Sequence, residues 1–189
     1  MGQTPVLAGQ RTTASLLNSL PTAVAPLVTG SVSNSAAEAV IGTFTIPAGD
    51  IAAVGNGYSF RVVCTADSNG TGPPTVIVKM RLGTAGTTAD TILYTYATIT
   101  ERTGASTNLV CTLDGWFYFT AVGASGTAYG QGMQSQNITS GTDAPPNWAL
   151  SVGITADTTS SLKLTTTAIW NTASTANIFR TLTGGLYRI

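Results

Sequence analysis

Residues 41–62 read IGTFTIPAGDIAAVGNGYSFRV, two alternating apolar runs joined by a loop with glycines at 49, 55 and 57. The loop is either a cradle for an anion or a turn. A phosphate cradle needs a helix after it, whose first amides point at the ligand, and a Lys-Ser/Thr pair following the glycines. Here the loop runs straight into YSFRV, in which Tyr58, Phe60 and Val62 alternate with Ser59 and Arg61. That is strand periodicity, so the loop reads as a turn between two strands.

The same signal repeats to the end of the chain. TVIVKMRLG places Val76, Val78, Met80 and Leu82 on one face and Thr75, Ile77, Lys79 and Arg81 on the other, as a half-buried strand requires. DTILYTYAT, TNLVCTLDGWFYFTAV, GTAYGQGMQSQ, WALSVGIT, SLKLTTTAIW and NIFRTLTGGLYRI continue the series, with Gly, Pro, Asn and Asp punctuation between them. Eight or nine strands with short turns, and no crossover helices, predict an all-β fold: a jelly-roll-like antiparallel sandwich. The first forty residues differ. TTASLLNSL offers a Thr cap and a short helical turn ended by Pro21, and PTAVAPLVTGSVSNSAAEA reads as extended linker. Residues 1–38 are therefore expected to form an arm and 39–189 the sandwich, with part of the arm as an edge strand the alternative.

Composition narrows function. Only 8% of the 189 residues are charged, against roughly 25% in an average soluble domain. Eight basic and eight acidic residues balance to zero and lie scattered, so the clustered cationic field that neutralises phosphates is missing and nucleic acid is not expected as a partner. At 43% hydrophobic residues the chain is expected to fold rather than remain disordered. No apolar run reaches membrane-spanning length, and the N-terminal residues lack an export-signal pattern, so neither membrane insertion nor secretion is expected.

With no histidine, histidine-based triads and most zinc sites are excluded. Cys64 and Cys111 share parity with the apolar residues of their strands, so the expected state is two reduced, core-facing thiols; a disulfide would need strand partners that sequence does not show. The carboxylates fall mostly at turns and strand ends, where Asp serves local hydrogen bonding, so a two-carboxylate glycosidase is not expected. ADSNGTG offers Asp67, Ser68 and Asn69 to a calcium ion, but reads more simply as a hairpin turn. No cofactor or metal is expected.

The aromatics carry more. GWFYF places Trp116 and Tyr118 on one face and Phe117 and Phe119 on the other, a strand expected to be covered on both sides, as core or as oligomer contact. Trp148 and Trp170 read most simply as core or core-edge residues. Tyr129 and Trp148 are also candidate ligand-facing residues, since an exposed aromatic can stack on a sugar ring.

Taken together, GTFTIPAGD, GYSFRV, PTVIVKMRLG, GASGTAYGQG and LTTTAIWNTASTANIF, with the opening PVLAGQRTTASLLNSL, resemble the single jelly-roll virion proteins of tailed bacteriophages, particularly those of actinobacterial hosts. The resemblance covers nearly the whole chain. It implies a homotrimer in the virion, assembled in the host cytoplasm, attached to capsid or tail proteins through the arm. Arg11, Leu16, Leu17 and Leu20 would make that attachment, and the trimer would bury apolar faces such as Phe117 and Phe119. It implies no catalytic residues. The expected role is head decoration or minor capsid protein, with a tail-tip or fibre protein that binds a host-surface saccharide as the alternative.

Overall fold

The computed structural model describes residues 23–68, 74–100, 106–136 and 144–189. Within them every regular element is a strand, in two antiparallel sheets that face each other. Sheet A runs β1 (Ala23–Pro26), β14 (Ile178–Arg188), β5 (Gly57–Ser68), β9 (Ser106–Ala121), β10 (Gly126–Gln136) and β11 (Ala144–Leu150), with β3 (Ser31–Ser33) also on β14 and β12 (Ile154–Ala156) also on β10. Sheet B runs β2 (Val28–Thr29), β4 (Ala39–Ile46), β13 (Leu162–Trp170), β6 (Thr75–Gly83) and β7 (Thr91–Thr95), with β8 (Ile99–Thr100) also on β6.

The chain switches sheets at every connection from β1 to β6, and again from β8 to β9, from β12 to β13 and from β13 to β14. The order β3-β14-β5-β9 therefore faces β4-β13-β6-β7, which is jelly-roll topology. The hairpin strands β10 to β12 widen sheet A beyond it. Strand segments outnumber the eight or nine expected because the edges are built from pieces of two to four residues, too short to carry a visible period.

The loop that opened the sequence question is the crossing from sheet B to sheet A. Gly49 and Gly55 adopt φ of +77° and +89°, and the Asn56 side chain accepts the amides of Ala52 and Ala53 at 3.1 and 2.9 Å. The amides of Asp50, Gly55 and Asn56 are also taken, by the carbonyls of Pro47, Phe119 and Ala53, so the loop is closed as a turn.

Parity sets the core. Val76, Val78, Met80 and Leu82 from sheet B and Phe60, Val62 and Cys64 from sheet A are buried between the sheets. Phe117 and Phe119 are fully buried there too, inside a single chain, so of the two expectations for this face, core or oligomer contact, the core is the one these side chains meet. Trp170 is likewise core and meets Phe179 edge-on at 6.4 Å. Across from β9 and β10, Tyr94 and Tyr96 are accommodated by Gly115 and Gly132, where a Cβ would collide with the tyrosines, and by Gly130, where it would lie 3.3 Å from Cε1 of Tyr94.

Among the described residues the first strand pairing is at Ala23, inside the stretch whose composition reads as linker. Backbone hydrogen bonding explains this: Gly30 and Thr181 exchange amide, hydroxyl and carbonyl contacts, drawing residues 23–33 onto β14 and β4. The predicted helical turn lies outside the described residues.

Candidate functional site

The outer face of sheet A carries the site. Because Phe60 and Leu186 point inward, Ser59, Arg61 and Tyr187 must point outward, and the same alternation turns Asp114, Trp116 and Tyr118 of β9 outward. Register then gathers them. Tyr187, Ser59, Trp116, Gln131 and Leu150 form one row across five strands, and Gly185, Arg61, Asp114, Met133 and Trp148 form the next. Between these rows lies an open groove of about 510 Å³, floored by the backbone of Phe60 and Gly115 and bordered by Trp116, Trp148 and Tyr187.

Three aromatic groups continue from the groove along the face. Trp116 and Tyr118 are near-parallel with centroids 5.7 Å apart, and Tyr118 and Tyr129 are near-parallel at 6.3 Å. Two glycines settle the tyrosines. A Cβ at Gly185 would lie 2.7 Å from Cζ of Tyr187, so that ring lies across the glycine. A Cβ at Gly153, whose φ is +84°, would lie 2.7 Å from Cζ of Tyr129.

One ion pair lines the groove. Arg61 donates from Nε to Oδ1 of Asp114 at 2.6 Å and from Nη2 to Oδ2 at 3.3 Å, a fork-on-carboxylate geometry. That hydrogen bonding, with the carboxylate's charge, raises the Arg61 pKa further. The Asp114 carbonyl accepts from Tyr96 at 3.2 Å, which ties the groove floor to sheet B.

Of the sequence candidates, Tyr129 and Trp148 both lie on this face, at 38% and 65% exposure. The core reading of Trp148 is thereby corrected: β11 is the edge of sheet A and nothing among the described residues covers its outer side. Trp116, 38% exposed, lines the groove, whereas Phe117 and Phe119 lie on the opposite face of β9 in the core. Arg11, Leu16, Leu17 and Leu20 lie outside the described residues. Ser59, Arg61, Asp114, Gln131, Met133 and Tyr187 are not singled out by sequence alone; parity places them outward, but only register brings them together.

The other described carboxylates are engaged in the fold. Asp67 accepts from Arg180 Nη2 at 2.9 Å and from the Asn108 amide at 2.6 Å, which commits the residue offered to calcium. Asp90 accepts the amides of Ala85, Gly86 and Thr87, Asp157 closes a turn with Thr159 and Ser160, and Asp50 holds Tyr58 and Arg188. On sheet B, Glu38 takes Lys79, Arg81 and Thr167.

No protein-family model and no curated protein matches the chain. Among solved structures, the CBM2 module of the evolved Dit of Lactobacillus casei BL23 phage J-1 is similar at a TM-score of 0.33 and 10% identity, over 87% of this chain and 74% of that one. A likeness this distant assigns no activity.

Proposed function

We propose that this chain is a non-enzymatic component of a tailed-phage virion that binds saccharide in the groove on sheet A, the receptor-binding role rather than head decoration. The observation that carries the reading is Trp148 and Trp116 held outward, with Tyr187, on one rigid sheet and interleaved with polar side chains. Contiguous exposed apolar surface rimmed by polar groups marks ligand grooves, and aromatics within a concave surface are where ligands gain most. A pyranose has an apolar C–H face and a hydroxyl rim, and this surface supplies stacking rings beside hydrogen-bonding groups. Within the described residues the groove holds one carboxylate, Asp114, and hydrolysis of a glycoside uses two. The virion assignment rests on the sequence resemblance, which also implies a homotrimer; three copies would raise the avidity of a weak site.

The test is adhesion of the fluorescently labelled chain to host cells, with and without soluble cell-wall polysaccharide. Adhesion blocked by the polysaccharide and lowered about tenfold by Trp148→Ala, with the melting temperature unchanged, is expected. Adhesion unaffected by that substitution removes the groove from the function. Antibody imaging of whole particles should label the tail tip; label spread over heads would restore decoration. Equilibrium sedimentation showing a monomer at micromolar concentration would count against the trimer.

A further inference from the structure

The ion pair in the groove carries a more specific inference, which rests on the saccharide reading above. We propose that the groove selects uncharged glycans with adjacent hydroxyls, and that the Arg61–Asp114 pair is the element that selects them.

The argument is one of donors, acceptors and charge. Guanidinium has five N–H donors and a carboxylate about four acceptor sites. The pair uses two of each on itself, through Nε with Oδ1 and Nη2 with Oδ2. Arg61 is 65% exposed and Asp114 20%, so the remaining donors and acceptors lie side by side at the groove surface. Each sugar hydroxyl both donates and accepts, so two neighbouring hydroxyls match a surface that offers both functions together.

An anionic ligand fits this surface badly. Phosphate and carboxylate groups only accept, so they satisfy Arg61 while lying against Asp114, and they must compete with a carboxylate already in bidentate contact. Among the described residues no other charged side chain lines the groove, so the charges they bring to it cancel. The remaining polar lining is neutral as well. Ser59 and Gln131 flank Trp116 in the same row, placing hydroxyl and amide groups on either side of the ring, where the rim of a stacked pyranose would lie. The site extends across the strands rather than along them. Tyr187 on β14 and Trp148 on β11 are four strand positions apart, roughly 19 Å at about 4.8 Å per step, which suits a chain of sugars over a single residue.

The experiment is affinity electrophoresis of the full chain in gels containing neutral polymers (dextran, galactan, arabinogalactan) or acidic ones (polygalacturonate, glycerol-phosphate polymer). Melting temperatures check that each variant is folded. Retardation by at least one neutral polymer and by neither acidic one is expected, with Trp116→Ala weakening it about tenfold. Asp114→Asn should weaken neutral binding several-fold and create salt-sensitive retardation by the acidic polymers, since it leaves Arg61 without its counter-charge. Arg61→Gln should weaken neutral binding and create no acidic binding. Wild-type retardation by the acidic polymers alone would overturn the neutral selection while leaving a saccharide site. Retardation by none of the polymers would count against the saccharide reading as well. Neutral binding unchanged in both Asp114→Asn and Arg61→Gln would remove the pair from recognition.

Discussion

Cys64 of β5 stands directly opposite Cys111 of β9 in the strand register, and both side chains point between the sheets, at 0% and 3% exposure. Such partners have Cα atoms about 4.5–5.5 Å apart. Burial pushes the Cys64 thiol well up, and Cys111 beside it adds to the rise, so Cys64 carries negligible thiolate at neutral pH. The native protein is expected to react with neither one nor two equivalents of an aromatic disulfide reagent over minutes, and with two once unfolded in guanidinium. Rapid modification of a thiol in the native state would contradict the packing.

The clamp at Glu38 predicts a pH dependence. Burial alone would raise this carboxylate, but hydrogen bonds from Lys79, Thr167 and Arg81, with the charge of Arg81, outweigh it and hold the pKa below the usual value. A carboxylate lowered in the folded state stabilises it fully above its unfolded pKa, and that contribution is lost as pH falls through the folded pKa. Glu38→Gln should therefore be least stable relative to wild type at neutral pH, with the difference shrinking in acid. The cost at pH 7 is about 2 kcal/mol, between the values for exposed and fully buried pairs, because Arg81 is left without its carboxylate. Urea melts of both proteins at pH 7 and pH 3 measure it; a constant difference would mean that Glu38 does not titrate with folding.

Alternation along strands was legible in the sequence because it is a local property. It placed Val76, Val78, Met80, Leu82 and Cys64 in the core and set Trp116 apart from Phe117. It could not show which outward residues meet, since that depends on register across β14, β5, β9, β10 and β11, of which β14 and β5 lie far in the chain from each other and from the β9–β11 run. Arg61 and Asp114 are separated by 53 positions and carry no shared motif. Trp148 follows Pro145 and Pro146 in a polar context, and its exposure comes from β11 being an edge, a fact of sheet order. Residues 23–33 read as linker for a related reason: their strands are two to four residues long and are held by backbone contacts to Thr181.

Tyr187 makes a border of the groove only because residue 185 has no side chain. Gly185→Ala puts a methyl where the ring lies, and the tyrosine end can give way by rotating off the sheet. The fold should lose little, about 1 kcal/mol or less, because the crowding is with a side chain at the surface. Polysaccharide retardation should fall several-fold, to near that of Tyr187→Ala. If Gly185→Ala binds as wild type while Tyr187→Ala does not, the ring has another resting place compatible with ligand.

Gly132 presents the opposite case, on the inner face of β10. A Cβ there would lie 2.5 Å from Cε2 of Tyr94 and 2.9 Å from Cε1 of Tyr96, both rings buried between the sheets. Neither ring has solvent to move into: Tyr94 and Tyr96 meet edge-on at 5.3 Å, and Tyr94 also stacks on Phe60. Interiors packed to crystal density transmit such strain, so the sheets must part or the tyrosines leave their rotamers. Gly132→Ala is therefore expected to destabilise by about 1–3 kcal/mol in urea unfolding. It should also weaken saccharide binding, since Tyr96 holds the Asp114 carbonyl beneath the ion pair. Tyr96→Phe separates the two effects: it keeps the ring volume, removes that hydrogen bond, and should lower binding with a smaller loss of stability. A Tyr96→Phe variant that binds as wild type would show that β9 keeps Asp114 in place through its strand partners alone.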